Sequence, residues 1–435
     1  MNTLGSTGGW LQKRGILGFW SPKFCKLVGS QLVISKSEKV NNVEFLIEIT
    51  PDTKIDIVKD PKKHRFSIQD ANGEVYVFEA KNNDEMMSWI LLLRSITFSN
   101  PDLSMDCFEV LSVIGRGFYG KVLLVKCKRT GELFAIKSIR KSILIEQHKI
   151  RIVLSERNIM VKSRHPFIVQ LKFAFQTQSK FYLGLEYVPG GELFTRIYRD
   201  GFLPPREYQL VVAQVALALQ YLHSIGIIYR DMKPENILID ADGYVKLTDF
   251  GLSRDITIDE SASTFCGTPE YIAPEVIKRL PYDTAIDWWG LGILTYELIY
   301  HNPPFRSTNN QQLFQKILKD EVPFPDNANP IEVNFIKGLL RKDPKKRFCF
   351  EEIASNEFFS GISFDDVLNK RITPPYIPVL EDKTNVKYFD NEYTSEQKMD
   401  SFVPPVMGEE ADVPGFSFYG ADTDVVNADN SILAD

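Results

Sequence analysis

The hydrophobic positions of this 435-residue chain fall into three textures. Over residues 4–98 they alternate with polar ones in short runs, as in Phe45–Ile49 (FLIEI) and Val75–Phe78 (VYVF), divided by turn signals such as DANGE. Such alternation between turns predicts half-buried strands. The spacing then changes to three and four, placing Met86, Trp89, Ile90, Leu93 and Ile96 on one helical face. Many short strands and one closing helix predict a small barrel capped by that helix. Residues 99–107 read as a polar linker.

Residues 108–359 begin with strand-like runs and turn helical, as in REYQLVVAQVALALQYLHSIG. The most apolar segment, Trp288–Tyr300, contains Glu297 and follows Asp287. It is shorter than the ~20 residues that span a bilayer, so a buried core helix is expected. From about residue 360 prolines recur, and Asp and Glu outnumber the lysines Lys370, Lys383, Lys387 and Lys398. That composition builds no core of its own, so the segment either lies across the preceding unit or is disordered.

Composition narrows the class. With 44% hydrophobic and 25% charged residues the chain reads as globular, and its length predicts two or three domains. A net charge of −6 argues against nucleic acid as a partner. The five cysteines (Cys25, Cys107, Cys127, Cys266, Cys349) lack CxxC spacing, which predicts reduced thiols in a cytoplasmic protein. The opening MNTLGSTGGW has no apolar run, so no secretory signal is expected; Asn2 and the ending SILAD match no lipidation motif.

The chemistry lies in the middle. IGRGFYGKV places Gly115, Gly117 and Gly120 in G-x-G-x-x-G spacing. A dinucleotide fold uses the same spacing but follows it with a helix. Here a strand (KVLLVKC) follows, and then Lys137 in FAIK. YRDMKPEN (229–236), KLTDFG (246–251) and GTPEYIAPE (267–275) come next in order. Together these motifs resemble the protein kinase family over 108–359, and the resemblance implies a bilobal kinase fold using ATP and Mg²⁺.

Phosphoryl transfer needs a triphosphate, divalent cations and a hydroxyl held in line. The resemblance makes Asp231 the residue that orients the substrate hydroxyl, Lys233 a contact to the moving phosphate, and Lys137 the phosphate-binding lysine. Glu156 in LSERNIM is the favoured helix partner of Lys137, with Glu146 as the rival. Asn236 and Asp249 supply hard oxygen ligands for Mg²⁺. Gly115, Gly117, Gly120, Val122, Ala135, Lys137, Glu186 and Phe389 are expected around ATP. Lys233 points to serine/threonine substrates. Glu275 is expected to meet Arg347, and Asp287 to brace the catalytic loop.

Tyr229 in place of the usual histidine, with TFCGTPEY after DFG, resembles the AGC group. This implies an activating phosphate at Thr264, paired by Arg230, placed there by upstream activating kinases. It also implies substrate arginines received by Glu192, Glu235 and Glu297, giving an R-x-R-x-x-S/T preference. The tail fits the group's F-x-x-F-S/T-F/Y motif at Phe416, Ser417 and Phe418, with Val413 in the first Phe position and Ser417 as a phosphosite. Val403 replaces the threonine expected before Pro404-Pro405, leaving Ser401 as the nearest hydroxyl.

GGWLQKRG, FWSPKFCKL and the helix bearing Trp89 resemble a PH domain. A PH domain before an AGC kinase is similar to the protein kinase B (Akt) family. The implied whole is a multidomain α+β chain: a PH-type barrel at 4–98, a catalytic domain at 108–359 and an AGC tail at 360–435. Lys13, Arg14 and Lys23 fit a phosphoinositide site, while Ser21 and Tyr76 stand where the family has arginines. A monomer with peripheral recruitment to the plasma membrane is expected. The alternative is a PH domain that serves autoinhibition or protein docking.

Overall fold

The computed structural model describes residues 8–93 (apart from 16–17, 29, 39–42, 51–52, 59–62, 83–84, 87–88 and 91), 103–406 (apart from 118, 148 and 256–265), 413 and 416–419. Thr264 and Ile96 lie outside the described residues.

The first unit is one antiparallel sheet of seven strands: β1 (Gly8–Arg14), β2 (Trp20–Val28), β3 (Gln31–Ser35), β4 (Val43–Glu48), β5 (Lys54–Val58), β6 (His64–Gln69) and β7 (Val75–Ala80). They neighbour one another in the order β4-β3-β2-β1-β7-β6-β5. Alternate residues turn inward: Phe66, Ile68, Phe78 and Ala80 share a buried cluster with Leu11, Cys25, Leu32 and Ile34. Met86, Trp89, Ile90 and Leu93 close that cluster, as their spacing predicts.

The small lobe of the second unit carries β8 (Phe108–Gly117), β9 (Gly120–Cys127), β10 (Leu133–Arg140), β11 (Leu171–Gln176) and β12 (Lys180–Glu186). The order is β11-β12-β10-β9-β8, and the tail residues Phe418–Tyr419 add a further edge strand beside β11. Helix α1 (Ile150–Lys162) buries Val153, Leu154, Ile159 and Met160 and thereby presents Glu156 to the cleft. The large lobe is helical. Helix α2 (Leu193–Asp200) covers the cleft edge, and α3 (Pro205–Ser224) starts on a proline whose missing N–H costs nothing at a helix N-terminus. Helix α4 (Ala285–Tyr300), apolar on all sides, is the core helix expected of that segment.

Beyond residue 360 the chain lies across the second unit instead of forming its own core. A Cβ at Gly191 would sit 2.3 Å from the carbonyl oxygen of Tyr388, and one at Gly243 2.2 Å from that of Tyr376. Gly191 of GGELF is therefore also a seat for the tail. Tyr187 donates to the carbonyl of Asn385 (2.7 Å), and its ring stacks on Phe389 at 6.0 Å.

Candidate active site

The β8–β9 hairpin brings its glycines over the cleft for different reasons. A Cβ at Gly120 would lie 1.6 Å from the Ser138 carbonyl oxygen, so β10 admits only glycine there. At Gly117 a Cβ would meet no described atom within 4 Å, so protein packing does not demand glycine and space is left on that side. One strand on, Lys137 of β10 donates to Glu156 Oε1 (2.7 Å) and Asp249 Oδ1 (3.1 Å). Glu156, not Glu146, therefore partners Lys137, and Glu156 is buried.

Electrostatics follow from this triad. Burial pulls the Lys137 ammonium down, but Asp249 and Glu156 more than reverse it, leaving its pKa above the ordinary lysine value. Lys137 holds the Asp249 carboxyl below its ordinary value against the opposing burial. Burial lifts Glu156 upward, opposed by Lys137. Two carboxylates on one ammonium leave negative charge at the cleft mouth, where Asp249 keeps part of its side chain open to solvent.

Asp231 sits in the loop between α3 and the hairpin Ile237–Ile239/Val245–Leu247. Asn236 Nδ2 donates to Asp231 Oδ2 (2.8 Å) and to its carbonyl (2.9 Å), while Lys233 Nζ approaches Oδ2 at 3.3 Å. Burial, opposed by Lys233 and Asn236, raises the Asp231 carboxyl. Asp287 of α4 holds the loop: its carboxylate accepts from the backbone N–H groups of Tyr229 and Arg230 (both 2.9 Å) and meets His223 Nε2 at 2.8 Å. Arg230 takes a left-handed backbone (φ 67°), and this bracing offsets the strain. Buried Tyr229 donates to the Thr248 carbonyl (2.6 Å) and packs edge-on against Phe250, tying the two motif loops together.

With its amide N–H engaged, Asn236 retains its side-chain oxygen, and Asp249 offers a partly open carboxylate. Two hard oxygen donors suit Mg²⁺, which keeps several waters and substrate phosphates in its shell. No group of three or more His, Cys, Asp or Glu among the described residues could hold a metal by itself.

Other expected residues divide. Ala135 is buried at the cleft roof, and Val122 lies opposite Lys137 on β9. The Glu186 side chain turns away from the glycine hairpin, accepting from Lys246 Nζ (2.7 Å) and the Gln170 N–H (2.9 Å). Glu192 and Glu235 are exposed beside each other's charge; desolvation and Glu235 push the Glu192 carboxyl up to about 7. Glu297 is buried, with one carboxylate oxygen accepting from Tyr198 and the other from Tyr271. The Arg230 guanidinium donates to the Leu252 carbonyl (2.6 Å) and the Tyr282 hydroxyl (2.9 Å); its expected partner Thr264 is outside the described residues.

The hydrophobic motif is seated. Phe416 is fully buried against Phe181, with ring centroids 4.4 Å apart. Phe418 is buried and pairs with Ala174 of β11. Gln176 clasps the Val413 backbone, donating to its carbonyl (2.6 Å) and accepting from its N–H (3.1 Å). Buried Arg157, next to Glu156 on α1, donates to the Ser417 carbonyl at 3.1 Å and faces the Phe418 ring. The tail thus touches the helix that carries the partner of Lys137. Sequence reasoning missed Arg157, since an arginine inside a charged helix gives no sign of burial.

In the first unit, Lys13, Arg14 and Lys23 lie near one end of the β1–β2 pair. Glu44 of β4 pairs with Lys23 and with Lys36 (3.3 Å). Lys13 Nζ lies over the stacked rings of Phe45 (4.7 Å) and Tyr76 (5.6 Å). Lys63 and Arg65 share Glu79 at 3.0 and 2.8 Å. Carboxylates that no basic motif reveals thus offset part of the positive charge, while Arg14 stays exposed.

No helix among the described residues is long and apolar enough to cross a membrane. The protein kinase domain model matches residues 108–359, and the PH domain model matches residues 6–98. RAC-beta serine/threonine-protein kinase A of Xenopus laevis is 32% identical over 442 residues, covering 89% of this chain and 91% of that protein. Serine/threonine-protein kinase Sgk2 of Rattus norvegicus is 42% identical over 343 residues (76% of this chain, 93% of that protein). The human Sgk1 kinase is 43% identical over 321 residues, or 72% of this chain and 73% of that protein. With Lys137 paired to buried Glu156 in one lobe, Asp231 and Asn236 in the other, and an N-terminal PH domain, the chain belongs to the protein kinase family as an Akt-like serine/threonine kinase of the AGC group.

Proposed function

We propose that the protein transfers the γ-phosphoryl group of ATP to serine or threonine hydroxyls that follow upstream arginines, in the form R-x-R-x-x-S/T. The observation that carries this reading is the Lys137–Glu156–Asp249 triad facing Asp231 and Asn236 across one cleft. The bond from the γ-phosphorus to the bridging oxygen of ADP breaks as the substrate oxygen bonds to phosphorus. Asp231 orients the hydroxyl and accepts its proton. Lys137, held by Glu156, contacts the phosphates, and Lys233 neutralises charge on the group in transit. Asn236 and Asp249 would hold Mg²⁺, which supplies charge neutralisation between the phosphates when bound. Gly115, Gly117, Gly120, Val122 and Ala135 would enclose ATP, with Phe389 at its edge. Glu186 would contribute through its backbone, since its side chain is committed to Lys246.

Glu192, Glu235 and Glu297 would receive the substrate arginines. A peptide with both arginines is expected to exceed its double-alanine counterpart by about 10²-fold in kcat/KM, as two charge-assisted contacts would give. Equal rates would overturn the reading. Glu192 must be ionised to hold a guanidinium. The selectivity ratio should therefore rise as pH climbs through about 7, where its carboxyl titrates.

Phosphates at Thr264 and Ser417, added by upstream kinases, would switch the enzyme on. The exposed Arg14, with Lys13 and Lys23, supports recruitment to phosphoinositide membranes. The pairing of Glu44 with Lys23 and Lys36 favours a second reading, in which this domain docks on protein and restrains the kinase. Sedimentation with vesicles containing or lacking 3-phosphoinositides separates them. Recruitment predicts at least ~5-fold more bound protein on the phosphoinositide vesicles. Equal binding leaves the docking reading.

A further inference from the structure

The tail crosses the outer face of the small-lobe sheet at Asp400, where three donors converge on one carboxylate. Lys180 Nζ donates to Oδ1 at 2.5 Å, Ser138 Oγ to Oδ1 at 3.3 Å, and the Tyr182 hydroxyl to Oδ2 at 2.8 Å. The geometry is set by strand pairing. Ser138 of β10 lies directly opposite Tyr182 of β12, and Lys180 lies two residues before Tyr182, so all three share one face. None is a surface group: Lys180 is 1% exposed, Ser138 2% and Tyr182 4%. Among the described residues, Asp400 is the one carboxylate within ion-pair distance of Lys180. The same ammonium also donates to the Ser401 carbonyl and approaches Ser401 Oγ at 3.3 Å.

A buried ammonium with hydroxyl donors beside it is an anion cradle, and a buried charge is stable only when paired. The occupant is part of the chain. Four residues earlier, Glu396 pairs with Arg116 (2.9 Å) and Lys121 (2.5 Å) at the glycine-rich hairpin, so the same tail segment has a second, more exposed anchor. Six residues after Asp400, the Val406 N–H donates to the Gln178 carbonyl (3.2 Å), continuing the tail toward Val413 and the hydrophobic motif.

We propose that Asp400 is a built-in anionic anchor that fixes the tail to the small lobe without phosphorylation and positions Phe416–Tyr419 at the sheet edge and α1. Asp400 is a positioning residue, acting through Lys180, Ser138 and Tyr182. Ser138 directly follows Lys137 in β10, so the anchor also grips the strand that carries the phosphate-binding lysine. Neither Ser401 nor a residue at the Val403 position needs a phosphate for this anchorage.

The test is amide hydrogen exchange on the full chain, which does not depend on the substrate reading. In phosphatase-treated wild type, the peptide spanning 397–406 should exchange as slowly as before treatment. Asp400→Asn should exchange at least ~10-fold faster there and in the peptide spanning 416–419, as expected for loss of a charge-assisted hydrogen-bond set. Tyr182→Phe, which keeps the ring and removes one donor, should show a smaller increase, about 3-fold. Wild-type protection of 397–406 lost on phosphatase treatment overturns the proposal, as does Asp400→Asn exchanging like wild type. If Asp400→Asn also loses protection throughout 205–224, global stability has fallen, and Tyr182→Phe decides: faster exchange confined to the tail supports the anchor, and unchanged exchange overturns it.

Discussion

Asp231→Asn is expected to lower kcat by about 10³-fold while leaving ATP affinity near that of the wild type, since a positioned proton acceptor contributes in that range. Stability separates a chemical role from a structural one. Burial raises the Asp231 carboxyl above its ordinary value. A carboxyl whose folded pKa exceeds its unfolded one binds more protons when folded. Its contribution therefore falls as pH rises from the unfolded value through the folded one. At neutral pH the ionised side chain is a net cost, and asparagine carries none. Asn at this position can still accept the Asn236 Nδ2 hydrogen bond that fixes the loop. Thermal unfolding at pH 7 should thus give Asp231→Asn a Tm equal to or above the wild type, with phosphotransfer nearly gone. Loss of both activity and Tm would assign Asp231 a structural role and remove it from the chemistry.

The strand and helix texture was legible because burial here is one-sided. Residues 75–80 alternate as a half-covered strand must, and the face from Met86 to Leu93 closes the cluster that its period implies. The cleft was legible for a different reason. Phosphoryl transfer constrains residue type and order along the chain, so YRDMKPEN and KLTDFG carry Asp231, Asn236 and Asp249 in short windows. Lys137 meets Glu156 and not Glu146, because Glu146 ends a separate short helix, Lys141–Glu146, that precedes α1.

What stayed hidden depends on pairs far apart in sequence. Glu44 meeting Lys23, Tyr198 covering Glu297 and Asp400 entering the Lys180 cradle join segments whose local patterns are ordinary. The cradle residues alternate on two strands as any outer sheet face would, and the tail acid that fills it is one of many. The Glu186 side chain was hidden in another way. Glu186 ends β12, but a strand residue has two faces, and its carboxylate took the one bearing Lys246.

Arg347→Met should produce the largest loss of stability of any single change considered. The guanidinium has five N–H groups, and all are used. Nη1 donates to Glu275 Oε1 and to the Ala285 carbonyl, both at 2.7 Å. Nη2 donates to Glu275 Oε2 (3.0 Å) and the Arg341 carbonyl (3.1 Å), and Nε to the same Arg341 carbonyl (3.2 Å). Both side chains are buried, and the Arg347 fork lies beside the Trp289 ring. Removing the cation strands the Glu275 carboxylate without water, which costs about 3–5 kcal/mol. In a catalytic unit of this size that is a Tm drop of roughly 8–15 °C by calorimetry. Arg347→Lys should recover little, because three tetrahedral donors cannot replace a planar fork serving a carboxylate and two carbonyls. The double change Glu275→Leu with Arg347→Met should regain much of the loss, since the penalty comes from the unpaired charge and not from the missing pair. If the single and double variants melt together below the wild type, the carbonyls of Ala285 and Arg341, not the carboxylate, are the groups that need the guanidinium.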